Sequence, residues 1–319
     1  MDSIKRPLAP SLLKRLNYTA RTLGRMIFCR IPLTSPPGRL TCIPFFIVGS
    51  GRSGNTLLRA MLAQHPEVAI PPESYVLPAV VRKFYQHNYL TWQDLVVLVT
   101  AAFENHPLFF TWGLDLREFY KRAIKIDRRE RSLAKLIDLL YSYYAEKKEP
   151  GARRWGDKTP LNSLNLERLN WVFPQARYVH IVRDGRDVVL SYLEAGIYAD
   201  IEDASKRWLR SVARAGAFGT RIGRGRYLEI TYEDLVQNSE KTLERVCSFL
   251  DLNYIPAMMD FWRSADRLGD SVLPHHENLK RPVTTESIGR WRHGLDPGQQ
   301  ARIKKLLGVK LRELGYADL

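Results

Sequence analysis

Apolar positions along the chain recur with two different periods, and the changes between them lay out the elements. Residues 8–28 place Leu12, Leu13, Leu16, Ala20, Leu23 and Ile27 at steps of three and four with basic residues between them. That spacing predicts a basic amphipathic helix. Pro32, Pro36, Pro37 and Gly38 then break the pattern into a linker. The run Phe45–Val48 is short and wholly apolar, as a buried strand is. Helical spacing returns with Leu57, Leu58, Met61 and Leu62 and stops at His65-Pro66, because proline disfavours helix in the residue before it. Residues 66–73 read as loop. Helical patterns follow at 76–87, 91–104, 115–125 and 130–148, the second entered through the capping pattern Thr91-x-x-Asp94.

Further on, Arg153–Gly156 predicts a brief strand, Lys158-Thr159-Pro160 a turn, and 162–173 a helix. Arg177–Val182, rich in β-branched and aromatic residues, predicts a strand. Helices are predicted over 184–195 and 201–222, then a strand at 227–230 and one continuous helix from Thr231-x-x-Asp234 to Leu250. The segment 264–284 reads as irregular, and 286–293 and 297–314 as terminal helices. Strands alternating with helices argue for an α/β, three-layer fold with a central, mostly parallel sheet flanked by helices. Ligands in such folds bind at the carboxyl ends of the strands. The domain reading is a basic extension over 1–40 and one catalytic domain over 41–319.

Composition adds a charge argument. The 319 residues carry a net charge of +15, which favours anionic partners. Residues 1–40 hold eight lysines and arginines against one acid, Asp2. Packing of the first helix on the body is the plainer reading, and peripheral membrane contact through residues 1–40 is the other. No nucleic-acid fold motif accompanies the charge, so nucleic acid is not an expected partner. Cys29, Cys42 and Cys247 are scattered without metal-ligand or disulfide spacing, and no secretory or membrane-spanning pattern is visible, so the expectation is a cytoplasmic enzyme without a metal. His275-His276 reads as a solvated pair.

Chemistry concentrates at two places. Gly49 to Thr56, between the first strand and its helix, has the spacing of the phosphate-binding loop G-x-x-x-x-G-K-[ST]. Backbone N–H groups in such a turn, with the helix N-terminus behind them, suit one anionic group. Asn55 stands where a nucleotide triphosphatase has lysine, and the nearest cation within the loop is Arg52. The second place is Tyr178–Ser191, where Arg183 ends a strand and Ser191 lies about two helical turns on, suiting a second phosphate. Taken alone, Arg183 reads equally as an ion-pair partner of Asp184 or Asp187.

A lysine-less phosphate loop paired with strand-Arg-Asp-Gly-Arg and a downstream serine resembles the sulfotransferases that use 3′-phosphoadenosine 5′-phosphosulfate (PAPS). The resemblance covers 44–319, and Arg52-Ser53-Gly54-x-Thr56-Leu57, His65-Pro66 and the step from Arg52 to Glu73 are most similar to tyrosylprotein and bacterial carbohydrate-type members. It implies that Gly51, Arg52, Ser53, Gly54, Asn55 and Thr56 cradle the 5′ end of PAPS and that Arg183 and Ser191 take the 3′-phosphate. Tyr232 and Arg281 are implied as further nucleotide contacts. Glu73 is implied as general base, with Lys158 and Arg52 acting beside the transferred group. Sulfuryl transfer to a hydroxyl needs such a base, and cations for the charge that builds on the oxygens. Ser287-Ile288-Gly289-Arg290-Trp291 resembles the segment that closes over the nucleotide.

Three departures bear on the acceptor: Asn55 for a threonine, and Tyr75 and Ala195 where tyrosylprotein members have arginines. They point to a hydroxyl on a carbohydrate, lipid or other small molecule. A P-loop kinase or NTPase is the alternative, disfavoured by the missing lysine and by Arg183 where a metal-binding aspartate would end the strand.

Overall fold

The computed structural model describes residues 12–269 and 279–316; the His275-His276 pair lies outside them. In chain order the elements are α1 (Leu12–Phe28), β1 (Phe45–Val48), α2 (Asn55–Leu62), β2 (Val68–Ala69), α3 (Leu77–His87), α4 (Trp92–Glu104), α5 (Arg117–Ile124) and α6 (Leu133–Lys148). Then come β3 (Arg154–Lys158), α7 (Leu166–Val172), β4 (Arg177–Val182), α8 (Gly185–Glu194), α9 (Ile201–Ile222), β5 (Tyr227–Thr231), α10 (Tyr232–Gln237), α11 (Ser239–Phe249), α12 (Trp291–Gly294) and α13 (Pro297–Glu313).

The five strands form one sheet in the order β2-β3-β1-β4-β5, and every pairing is parallel. The β1 strand is central and buried on both faces, so its continuous apolar run follows from where it sits. Phe46 and Val48 face the core shared with α3–α7, while Phe45 and Ile47 face the core shared with α2, α10 and α11. A third core joins α8, α9, α12 and α13. From β1 the chain runs outward to β2 and β3 on one side and to β4 and β5 on the other. The carboxyl end of β1 is therefore the point where strand order reverses, and a crevice opens there.

Several boundaries differ from the sequence expectation. Val68–Ala69 pairs with Arg154–Trp155 as a two-residue edge strand, too short to show a period. The β3 strand runs on through Lys158, so that lysine belongs to the sheet and not to a turn. The predicted helix 162–173 is a 3-10 turn at Pro160–Leu164 followed by α7. The helix predicted from Thr231 to Leu250 breaks at Asn238, whose backbone leaves the helical region. A kinked run of 3-10 turns occupies Pro256–Leu268, and within 286–293 only Trp291–Gly294 is helical.

Over its described side chains, from residue 18 on, the α1 helix does not pack its apolar stripe on the body. Its contact runs through Arg25, whose guanidinium donates to the carbonyls of Tyr89 (2.7 Å) and Leu90 (2.6 Å). Leu23 and Ile27 stay exposed.

Candidate active site

The loop after β1 is shaped by its close neighbours. Gly54 has φ 94°, and a Cβ there would lie 2.5 Å from the Tyr232 ring, so the position admits only glycine without strain. Gly54 caps α2 with no side-chain acceptor, which leaves the first-turn N–H groups free of helix partners and facing the crevice. Asn55 turns its side chain inward and donates through Nδ2 to Ser50 O at 2.7 Å. It braces the turn while still bordering the crevice. Tyr192, which sequence reasoning passed over, supports the same turn from α8: its hydroxyl lies 2.9 Å from Ser50 Oγ and blocks any side chain at Gly51.

Arg52 joins the two chemistry-bearing segments. Its backbone is left-handed, φ 64°, a strained setting for a residue with a Cβ. Its Nε donates to Ser191 Oγ at 2.9 Å, and its carbonyl accepts from Arg183 Nη1 at 3.0 Å. Burial, then the charge of Arg183, hold the Arg52 pKa below the usual arginine value. Arg183 also donates to Ser287 O (2.5 Å) and lies over the Tyr232 ring at 4.4 Å. It pairs with neither neighbouring aspartate: Asp184 is held by Arg186 at 2.7 Å. Asp187 accepts from the backbone N–H groups of Gly289 (2.7 Å) and Trp291 (2.9 Å), fastening the 287–291 segment to α8. Only its carboxylate type hinted at that role in the sequence.

The third wall carries Glu73 and Lys158. Lys158 ends β3 one strand from the loop, Ile47 being its partner on β1. Its side chain is fully buried, and Nζ donates to Glu73 Oε1 at 2.5 Å and to Thr56 Oγ1 at 3.2 Å. Glu73 is 13% exposed and opens on the crevice. Its loop is pinned by Arg59 Nε to Ile70 O (3.0 Å) and by Ser74 N to Thr159 Oγ1 (3.1 Å). Tyr75, with φ 54°, stacks on His106 at 5.0 Å. Beside Lys158, Asp157 is buried and bonded to Tyr141 and Asn162, and burial raises its pKa.

These groups line one cleft of about 760 Å³. Gly51, Arg52, Gly54, Asn55, Thr56, Glu73, Arg183, Ser191, Tyr232 and Arg281 all border it. Ser53 sits just beneath with a buried hydroxyl lacking a partner, and Arg183 Nε is likewise buried and unpartnered. Unsatisfied donors of this kind fit an anion that would bond to them. Arg281 is half exposed on the far wall, 3.9 Å from Glu286.

The same segments carry a family signature. Residues 44–256 match the model of the sulfotransferase family. The chain belongs to that family. The protein-tyrosine sulfotransferase 2 of Gallus gallus is 26% identical over 282 residues, 85% of this chain and 68% of that protein. Nodulation protein NoeE of Sinorhizobium fredii is 24% identical over 302 residues, 85% of this chain and 65% of its own. Among solved structures, the sulfotransferase domain of the Synechococcus PCC 7002 olefin synthase superposes with a TM-score of 0.62 at 26% identity, covering 90% of this chain and 98% of that one. The sulfotransferase domain from the curacin biosynthetic pathway shares the fold, with a TM-score of 0.54 at 21% identity and coverage of 88% and 98%. The chain is a sulfotransferase, and the kinase or NTPase alternative falls away.

Proposed function

We propose that this sulfotransferase moves the sulfuryl group of PAPS to the hydroxyl of a small-molecule, carbohydrate or lipid acceptor. The observation that carries the reading is the Arg52–Ser191 bond, which brings the phosphate loop and the Arg183–Ser191 pair into one cleft. Backbone amides of the loop, with Ser53 and Thr56, suit the 5′-phosphosulfate, and Arg183 with Ser191 suits a 3′-phosphate; Tyr232 and Arg281 border the nucleotide's space between them. Bound PAPS supplies an activated sulfuryl group on a phosphate leaving group.

Glu73 accepts the proton of the acceptor hydroxyl as its oxygen bonds to sulfur and the sulfur–phosphate oxygen bond breaks. Lys158, the loop amides and Arg52 stabilise the charge left on the phosphate oxygen. Tyr75, Pro160 and Ile197 also border the cleft and supply no cation for an acidic peptide, and Arg290 on the same lining is already paired with Glu194 at 2.7 Å. That composition favours an uncharged acceptor.

Calorimetry with 3′-phosphoadenosine 5′-phosphate against AMP tests the donor assignment. The 3′-phosphorylated nucleotide binds more tightly, and Arg183→Ala removes the difference; equal binding of both, or an unchanged difference in the variant, overturns it. An acceptor screen with radiolabelled PAPS, read by mass spectrometry of the product, identifies the hydroxyl.

A further inference from the structure

The α1 helix is mounted the wrong way round for a helix that stabilises the body by its apolar stripe. Arg25, on its basic side, reaches the body, with Met26 half-buried beside it. Leu23 and Ile27, on the apolar side, are 53% and 69% exposed, and Tyr18 and Phe28 are 75% and 82% exposed. The segment after it is sewn down: Ile31 N bonds to Asn88 O, Asn88 Nδ2 to Ile31 O, and Leu133 N and Ala134 N to Pro32 O and Leu33 O. An exposed apolar side on a helix whose C-terminal exit is firmly fixed calls for an external partner.

We propose that α1 docks the enzyme on an anionic lipid surface, lying in the interface with Leu23, Ile27 and Phe28 in the acyl boundary. Charge decides between occupants. Residues 1–40 hold eight basic residues against one acidic, so an anionic surface attracts this end of the molecule, and a second copy would bring an equally basic segment against it. Length decides between modes. With Lys14, Arg15, Arg21 and Arg25 inside it, α1 is too charged to span, and among the described residues no helix is long and apolar enough to cross a membrane. It therefore lies on the surface.

Co-sedimentation of the full chain with vesicles tests this. The protein pellets with phosphatidylcholine–phosphatidylserine vesicles, about tenfold or more better than with phosphatidylcholine alone, and added salt releases it. The double variant Leu23→Glu/Ile27→Glu loses about tenfold or more of that binding. Its thermal melt and its affinity for 3′-phosphoadenosine 5′-phosphate stay unchanged, since both side chains are exposed and outside the cleft. Failure of the wild type to pellet with anionic vesicles at low salt overturns the proposal, as does equal pelleting of the variant. A dimer seen by sedimentation velocity without lipid and abolished in the variant also overturns it, by placing a second copy on this face.

Discussion

Glu73→Gln isolates the reaction chemistry from the architecture of the site. The amide keeps the shape of the carboxylate and an oxygen for Lys158, which now donates to Glu73 at 2.5 Å, but it holds no proton-accepting charge. Loss of a general base costs about 10²–10⁴-fold in rate, or about 3–5 kcal/mol of barrier. The stability cost is smaller. Removing one charge of a buried pair costs up to about 3–5 kcal/mol where no water reaches it. Glu73 opens on the cleft and glutamine retains the hydrogen bond, so about 1–2 kcal/mol is expected, a few degrees in Tm. Single-turnover transfer from radiolabelled PAPS reads the first quantity, thermal melting the second, and calorimetry confirms that nucleotide affinity stays within about twofold of wild type. A companion Lys158→Met strands Glu73 without its partner and destabilises more. The double variant recovers part of that stability without recovering rate. A Glu73→Gln enzyme turning over within tenfold of wild type removes Glu73 as the base.

Three further outcomes follow from particular contacts. Gly54→Ala forces a side chain into left-handed backbone and against Tyr232, and is expected to cost about 1–3 kcal/mol in urea unfolding and to weaken nucleotide binding; an unchanged midpoint refutes the steric argument. Asp187→Asn keeps one acceptor oxygen where two backbone N–H groups now bond, so the 287–291 segment gains amide hydrogen exchange and nucleotide affinity falls, and equal protection in both proteins refutes it. Burial pushes the Cys42 and Cys247 thiols up to about 11, so at pH 8 only about one in a thousand of each is thiolate, and their alkylation appears as pH rises toward 11 or as the chain unfolds. Exposed Cys29 labels first in a mass-spectrometric time course, and early labelling of Cys247 refutes the assignment.

Local signals in the sequence were legible where one element determined its own form. The Phe45–Val48 strand, the glycine turn and the capping residues Thr91 and Thr231 are read from neighbours a few positions away, and each appears as expected, both threonines accepting from the N–H three residues on. Arg183 and Ser191 are legible together because the eight-residue step between them, mostly within α8, brings the serine back to the same side about two turns on. What was not legible depends on distant partners. The β2 strand exists only because Arg154–Trp155 pairs with it, and the break at Asn238 has no proline or glycine to announce it. The inward turn of Asn55 depends on Ser50 O, and the inverted mounting of α1 depends on the Tyr89 and Leu90 carbonyls more than sixty residues away.

The missing lysine of the phosphate loop shows the same division at the centre of the site. In a nucleotide triphosphatase that cation belongs to the loop. Here Asn55 is committed to bracing the turn, and the buried cation arrives from the neighbouring strand, 102 residues on, with Nζ beside Thr56 Oγ1. Parallel pairing of β1 with β3 fixes that placement, because Ile47 opposite Lys158 puts the end of β3 level with the start of the loop. Supplying the charge from the sheet has a chemical consequence that a loop lysine lacks. In the proposed reaction the same ammonium contacts Thr56 on the donor side and Glu73 on the acceptor side, so one buried group would touch both ends of the path along which the sulfuryl group moves. Buried among strands with little rotamer freedom, it is held in position before either substrate binds, and the reorganisation that a solvent-exposed lysine would need is avoided.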